Sequence, residues 1–244
     1  MQNAFPDKDS VALEAEMKQF YRNFCDFIIE ALKSITISAK ELEKRVTIKD
    51  PEVIEQYFKS GKSVLVLTSH QFNWEWMLLA SSSRLSAPLN PIYKRLNNSY
   101  FDRLMLSTRS RFGSKPIEMQ ETLAQIVSRR KSVNAFGLIA DQTPMVDADK
   151  YWSTFLNQDT AFYIGSERIA HLTKYPVLFV GMTKIKRGFY EIQYQELANP
   201  PYDNNEHDIL DRYIAKAEKL IQERPAEWLW THRRWKYKKP FYTD

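Results

Sequence analysis

An uninterrupted apolar run at residues 63–69, Ser-Val-Leu-Val-Leu-Thr-Ser, constrains the fold more than any other feature of this sequence. Its valines and leucines follow one another without the polar alternation of a strand that has one face in water. Gly61 supplies a turn signal before the run, and Asn73 offers a helix N-cap after it. The run therefore predicts a strand buried on both faces, inside a sheet that helices cover.

Strand and helix patterns alternate along the rest of the chain. Further strand candidates lie at 89–93, 133–140, 176–182 and 189–194. Helical patterns lie at about 73–84, 118–130, 160–174 and 207–223. This alternation predicts an α/β fold with a mostly parallel central sheet flanked by helices.

Residues 1–62 are predicted to form an N-terminal helical segment ahead of an α/β core at 63–244, and the whole chain is predicted to be a single domain. Two short helices are predicted to begin near Ser38 and Pro51. A long helix precedes them, and the spacing of its apolar side chains by three and four predicts one buried face. That face would consist of Met17, Phe20, Phe24, Phe27, Ile28, Ala31, Leu32 and Ile35.

Composition excludes several classes of protein. The one cysteine, Cys25, can form neither an intramolecular disulfide nor a cysteine-based metal site, which favours a reducing compartment. No apolar run approaches the roughly 18 residues of a membrane-spanning helix.

The net charge is +5, and its excess lies in two stretches. Residues 91–131 contain nine basic and three acidic residues, and residues 228–240 contain five basic and no acidic residues. Two such patches predict an anionic partner: a phosphorylated small molecule, an anionic membrane surface or nucleic acid. Scattered, solvated lysines are the alternative.

The stretch after the apolar run contains the side chains best suited to catalysis. The motifs GxSxG, GxxxxGKS/T, GxGxxG and HExxH are absent. His70 falls in the link between the predicted strand and helix, and Glu75 falls in the first helical turn. A carboxylate against one imidazole nitrogen would let the other nitrogen act as a general base for a substrate hydroxyl. On these two residues alone, a capping glutamate beside a structural histidine is the simpler interpretation.

The context of His70 resembles a known family. The lipid A biosynthesis (late) acyltransferases, within the lysophospholipid acyltransferase superfamily, carry His-x-x-x-x-Asp/Glu after a hydrophobic strand, typically as His-x-Gly-Asn-Trp-Glu. Here Asn73-Trp74-Glu75 match, and Phe72 stands where glycine is usual. Other blocks similar to the family follow in order over nearly the whole chain: Asn3 to Asp7, Tyr93-Lys94 through Leu104, Arg109 to Gly113, Asp141-Gln142, and Trp228 to Lys236.

The resemblance implies a glycerolipid acyltransferase-like fold and a role for each matching residue. It implies that His70 is the base and Glu75 its orienting partner. The implied substrate-binding residues, for phosphate, the developing oxyanion or an anionic headgroup, are Asn73, Lys94, Arg95, Arg109, Asp141, His232 and Arg233. Two alternatives stay open: the carboxylate at 141 could cap a turn, and the tryptophans around 232 could be core or interface anchors.

The implied activity is the transfer of a fatty acyl chain from an acyl carrier protein thioester to a hydroxyl of a lipid A precursor, with no cofactor and no metal. Two rivals are a glycerolipid (lysophosphatidate-type) acyltransferase and a non-catalytic module that binds anionic lipid. No nucleic-acid-binding motif is recognised, so nucleic acid is not expected as a partner. The implied location is the cytoplasmic face of the bacterial inner membrane. The chain would be either a catalytic domain without its anchor or an anchor-free relative that binds the membrane through basic and aromatic side chains.

Overall fold

The computed structural model describes residues 1–202 and 207–238. A seven-stranded sheet has the order β1-β9-β8-β2-β5-β3-β4, and a hairpin of β6 and β7 stands apart from it. The strands are β1 (Val46–Lys49), β2 (Val64–Thr68), β3 (Leu89–Tyr93), β4 (Ile117–Glu118), β5 (Ala135–Ile139), β6 (Lys150–Phe155), β7 (Gln158–Tyr163), β8 (Val177–Lys186) and β9 (Phe189–Ala198). The helices are α1 (Ser10–Lys33), α2 (Ala39–Arg45), α3 (Glu52–Lys59), α4 (Trp74–Arg84), α5 (Ser99–Arg109), α6 (Thr122–Ser128), α7 (Gly165–Thr173) and α8 (Asp208–Glu223).

The predicted fold class is confirmed. Strand β2 pairs in parallel with both β5 and β8, and only β8 and β9 pair antiparallel within the large sheet as the structure describes it. All five residues of β2 are buried, as the apolar run predicted. Leu65 and Leu67 belong to the core that includes α8, whereas Val64 and Val66 belong to the core that includes α4. Burial on both faces explains the lack of polar alternation.

Two parts of the secondary-structure prediction are wrong. Residues 46–49 form an edge strand that pairs in parallel with β9, so the N-terminal segment is not wholly helical. Residues 160–163, predicted as the start of a helix, lie instead in β7, which belongs to a hairpin whose two-residue turn, Leu156-Asn157, has positive φ at both positions. Such a turn matches the twist of paired strands. The helix predicted from 160 therefore begins only at Gly165.

The predicted buried face of α1 is only partly correct, since Phe20 is buried and Phe24 and Phe27 pack half-buried against Phe72. The inner side of the helix also holds the polar residues Asn23, Asp26 and Glu30, while Met17, Ile28, Ile29, Leu32 and Ile35 are exposed. Each buried polar side chain has a partner: Asn23 donates to the Ala226 carbonyl, Lys184 donates to Asp26, and Tyr190 donates to Glu30. Polar burial is tolerated because these partners replace water.

No helix among residues 1–202 and 207–238 has the length and apolar character needed to cross a bilayer. Lys239 and Pro240, which belong to the C-terminal basic patch of the sequence, lie outside the described residues.

Candidate active site

The site forms where two neighbouring parallel strands end. Thr68 of β2 lies opposite Ile139 of β5, so His70 and Asp141 each follow a strand end at the same edge of the sheet. Side chains at the carboxyl ends of parallel strands commonly build sites in α/β proteins. Sheet register therefore brings together two residues that are distant in sequence.

The carboxylate against His70 is that of Asp141. Its Oδ1 lies 2.6 Å from His70 Nδ1, and its Oδ2 accepts from the backbone N–H of His70 at 2.8 Å. The indole N–H of Trp228 donates to the same Oδ2 at 2.7 Å. Burial alone would raise the pKa of Asp141, but the His70 ring and these donors outweigh it and lower the pKa to about 2. The carboxylate is therefore ionised at neutral pH and fixes the proton of neutral His70 on Nδ1.

The second imidazole nitrogen remains free to accept a proton. His70 Nε2 lies 3.1 Å from the side-chain nitrogen of Gln142, which donates to it when Nδ1 carries the proton. Gln142 is exposed, and the His70 side chain is 11% exposed. A substrate hydroxyl that displaces the Gln142 amide would meet a nitrogen ready to take its proton.

The structure corrects the predicted pairing of His70 with Glu75. The Glu75 carboxylate is bound instead by the Arg109 guanidinium, whose Nε and Nη2 donate to it at 3.1 and 2.5 Å. Arg109 sits at the end of α5, where that helix meets α4, and a two-pronged guanidinium matches a carboxylate better than an imidazole does. Burial opposes the charge of Arg109, but Glu75 prevails and raises the pKa of the guanidinium.

Trp74 links the two pairs. Its ring meets the His70 ring edge-on at 5.1 Å between centroids, and its indole N–H donates to Glu75 at 3.2 Å. Trp74 therefore contacts both the His70 ring and the carboxylate that binds Arg109.

The other predicted substrate-binding residues divide into buried and exposed groups. Asn73 is fully buried, caps α4 through the Trp76 backbone N–H, and donates to Glu30. The predicted N-cap is thereby confirmed. Lys94 and Arg95 are exposed just after β3, and Arg95 lies within 4 Å of two carboxylates, Asp102 and Glu118.

His232 and Arg233 lie next to the segment that follows Asp141. His232 Nε2 accepts from the Thr143 backbone N–H at 3.3 Å, and burial and the neighbouring His70 lower the pKa of His232. Arg233 is exposed, and its carbonyl accepts from the Thr143 hydroxyl. The C-terminal segment therefore closes one side of the dyad.

Sequence reasoning assigned no site role to Trp228, Gln142 or Arg234. Trp228 reaches Asp141 because the C-terminal segment pairs with residues 69–73, the loop between β2 and α4 that carries His70 and is called the catalytic loop. Leu229 N–H donates to the His70 carbonyl, and Phe72 N–H donates to the Glu227 carbonyl. Arg234 is buried over Phe162, its Nε has no partner, and burial lowers its pKa to about 10. Gln142 lies in the Asp141-Gln142 block at a strand end, and Trp228 and Arg234 lie in the Trp228 to Lys236 block, but neither block indicated what these three side chains contact.

Phe72, at the position where glycine is usual, fills an aromatic cluster. It packs against Phe20, Phe24, Phe27 and Trp74 with ring centroids 5.3 to 6.2 Å apart. Its side chain therefore joins the catalytic loop to α1.

A His–Asp pair at the carboxyl edge of a parallel sheet has the geometry that general-base catalysis requires. In the part of the chain that the structure describes, no serine, threonine or cysteine side chain is hydrogen-bonded to the His70 ring. Nor do three or more His, Cys, Asp or Glu side chains come together there as potential metal ligands. The arrangement suits a reaction in which the substrate supplies the nucleophile.

Comparison with known proteins agrees with this class. The family model for bacterial lipid A biosynthesis acyltransferase matches residues 1–237, so the chain belongs to that family. A search of the curated proteins finds none that matches the chain. The family carries acyltransferase activity in lipid A biosynthesis and implies an acceptor of the lipid A type.

Proposed function

We propose that this protein transfers a fatty acyl chain from an acyl carrier protein thioester to a hydroxyl group of a lipid A precursor. The observation that carries the proposal is the contact between Asp141 and His70, which leaves Nε2 as the proton acceptor beside an exposed amide. Membership of the family supports the acyl transfer and the acceptor class.

In this mechanism the acceptor hydroxyl replaces the Gln142 amide at His70 Nε2. Nε2 takes the proton as the hydroxyl oxygen attacks the thioester carbonyl carbon, and Asp141 stabilises the imidazolium that forms. The carbon–sulfur bond of the tetrahedral intermediate then breaks. The departing sulfur takes the proton from Nε2, which returns the imidazole to its starting state and leaves an ester and a thiol.

Basic residues near the base have two roles in the proposal. Arg109 uses Nε and Nη2 to bind Glu75, so Glu75 acts as its positioning residue. The guanidinium thus held offers positive charge to the oxyanion or to a phosphate of the acceptor. Lys94 and Arg95 after β3, and His232 and Arg233 beside Thr143, would bind anionic groups of the acceptor.

The partners follow from the same chemistry. An acidic carrier protein and an anionic membrane surface would both be attracted by the basic surface. We place the reaction at the cytoplasmic face of the bacterial inner membrane, where a lipid acceptor and a carrier-bound donor can meet.

The test uses purified protein, an acyl carrier protein thioester and a lipid A precursor, with the product identified by mass spectrometry. His70→Ala should lower kcat by about 10² to 10⁴, because a positioned general base contributes that much. His171→Ala, at a half-buried histidine on α7, is the matched control and should leave kcat unchanged. Transfer that survives His70→Ala would refute the base assignment, and acylation of a lysophospholipid but not of the lipid A precursor would identify the glycerolipid reaction.

A further inference from the structure

The outward side of α1 is an apolar surface. Met17, Tyr21, Ile28 and Leu32 are 46%, 58%, 46% and 64% exposed. Their spacing by four, seven and four residues places them in one row along the helix. We call this row the outer row of α1.

The helix cannot rotate to bury the outer row. Its opposite side is fixed by Lys184 on Asp26 at 2.9 Å, by Tyr190 on Glu30 at 2.7 Å and by Asn23 on a backbone carbonyl. Turning the helix would break these contacts and leave their buried polar partners unsatisfied, which is strongly unfavourable. The exposed apolar row is therefore a fixed feature of the fold.

Basic side chains border the outer row. Lys18, Arg22 and Lys33 are exposed on α1, and Lys18 is paired with Glu14 one turn before it. An apolar stripe with a basic border is the pattern of a helix that lies in the interface of an anionic bilayer.

The hairpin of β8 and β9 carries further exposed basic side chains close to α1. Its turn exposes Ile185, Lys186 and Arg187. Arg187 is bound to Asp26 of α1 at 2.9 Å, which fixes the hairpin turn to the helix. An apolar side chain flanked by basic ones thus recurs beside α1.

Helix α1 also contacts the surroundings of the active site. Phe27 on the same helix packs on Trp74 with centroids 4.3 Å apart, and Trp74 meets His70 at 5.1 Å. A lipid acceptor in a bilayer that touches α1 would start close to the base.

We propose that the outer row of α1 and the β8–β9 turn form the surface by which this protein lies on a bilayer of anionic lipid. The side chains of the outer row enter the acyl boundary, and the bordering lysines and arginines contact lipid phosphates. The functional reason for this orientation rests on the proposed function, but the binding itself does not require catalysis.

The experiment measures binding to phosphatidylglycerol-containing vesicles and to phosphatidylcholine vesicles by flotation. The double variant Ile28→Gln/Leu32→Gln should bind anionic vesicles about tenfold more weakly, which corresponds to about 1.4 kcal/mol. Leu172→Gln, at a leucine that is 62% exposed on α7, is the matched control and should bind as the wild type does. Arg22→Gln/Lys33→Gln should weaken binding to the anionic vesicles alone.

Three results would overturn the proposal. The first is that Ile28→Gln/Leu32→Gln binds anionic vesicles as tightly as the wild type does, and the second is that Leu172→Gln weakens binding as much as the double variant does. The third is that the wild type forms a dimer and that the double variant is a monomer. The last would show that a second copy covers the outer row. His70→Ala separates this proposal from the catalytic one, because it should bind vesicles normally while losing acyl transfer. The double variant should in turn retain transfer to an acceptor dispersed in detergent.

Discussion

Replacing Asp141 by asparagine tests the central contact of the site. The substitution keeps the shape of the side chain but removes its charge, so the imidazolium formed during catalysis loses its counter-charge. If the amide oxygen keeps accepting from the His70 backbone N–H and the Trp228 indole N–H, the amide NH2 faces His70 Nδ1 and favours the tautomer with the proton on Nε2. We expect kcat to fall by about 10³, within the range found when an orienting carboxylate is lost.

The effect on stability can be worked from the pKa of Asp141. The folded protein lowers this pKa from 3.8 to about 2, a difference worth roughly 2 to 3 kcal/mol. Because the folded pKa is the lower one, this stabilisation is present above pH 4 and is lost as the pH falls towards 2. The wild type should therefore lose more unfolding free energy than Asp141→Asn between pH 4 and pH 2.

Both effects are measured on the same preparations, by initial rates of acyl transfer and by urea unfolding at several pH values. Asp26→Asn is the matched control, because Asp26 is also buried but is paired with Lys184 of β8 and not with His70. It should leave kcat within about threefold of the wild type. If Asp141→Asn retained a tenth or more of kcat while Glu75→Gln abolished transfer, the assignment of Asp141 as the partner of His70 would be refuted.

Further predictions concern the surroundings of the base. Glu75→Gln should cost roughly 2 to 4 kcal/mol in urea unfolding, because it leaves the Arg109 guanidinium without its counter-charge, and Arg109→Lys should cost less. Phe72→Ala should cost about 3 to 5 kcal/mol by removing a buried ring from the cluster that joins α1 to the catalytic loop, and a loss below about 1 kcal/mol would contradict that packing. Arg234→Met should raise the unfolding free energy by roughly 1 to 2 kcal/mol, because burial lowers the pKa of Arg234 to about 10 and its Nε has no partner. Thermal unfolding of Arg234→Met below the wild-type midpoint would show that the buried charge stabilises the fold.

Local sequence predicted the elements that position His70. The run at 63–69 predicted β2, and Asn73 predicted the start of α4, because an apolar run and an N-cap act within a few residues. The link that carries His70 follows from these two elements alone. Residues 46–49 and the hairpin of β6 and β7 were missed, because pairing with a distant strand or across a turn decides them.

The partner of His70 could not be assigned from sequence distance. Glu75 is five residues away along the chain, whereas Asp141 is brought to His70 by the parallel register of β2 and β5. Two carboxylates were available, and Asp141 contacts His70 whereas Glu75 contacts Arg109. Such a choice is made by tertiary contacts that no local pattern contains.

Helix α1 shows how a correct pattern can lead to a burial prediction that holds for only part of the helix. The three- and four-residue spacing does form a stripe, but it says only that the two faces of the helix differ, and not which of them meets the protein. Here the β8–β9 hairpin and the catalytic loop present Lys184, Tyr190 and Asn73 to α1, and these groups select the polar face. An apolar face left outward by such specific inner contacts needs another environment, and the anionic bilayer proposed above would supply one.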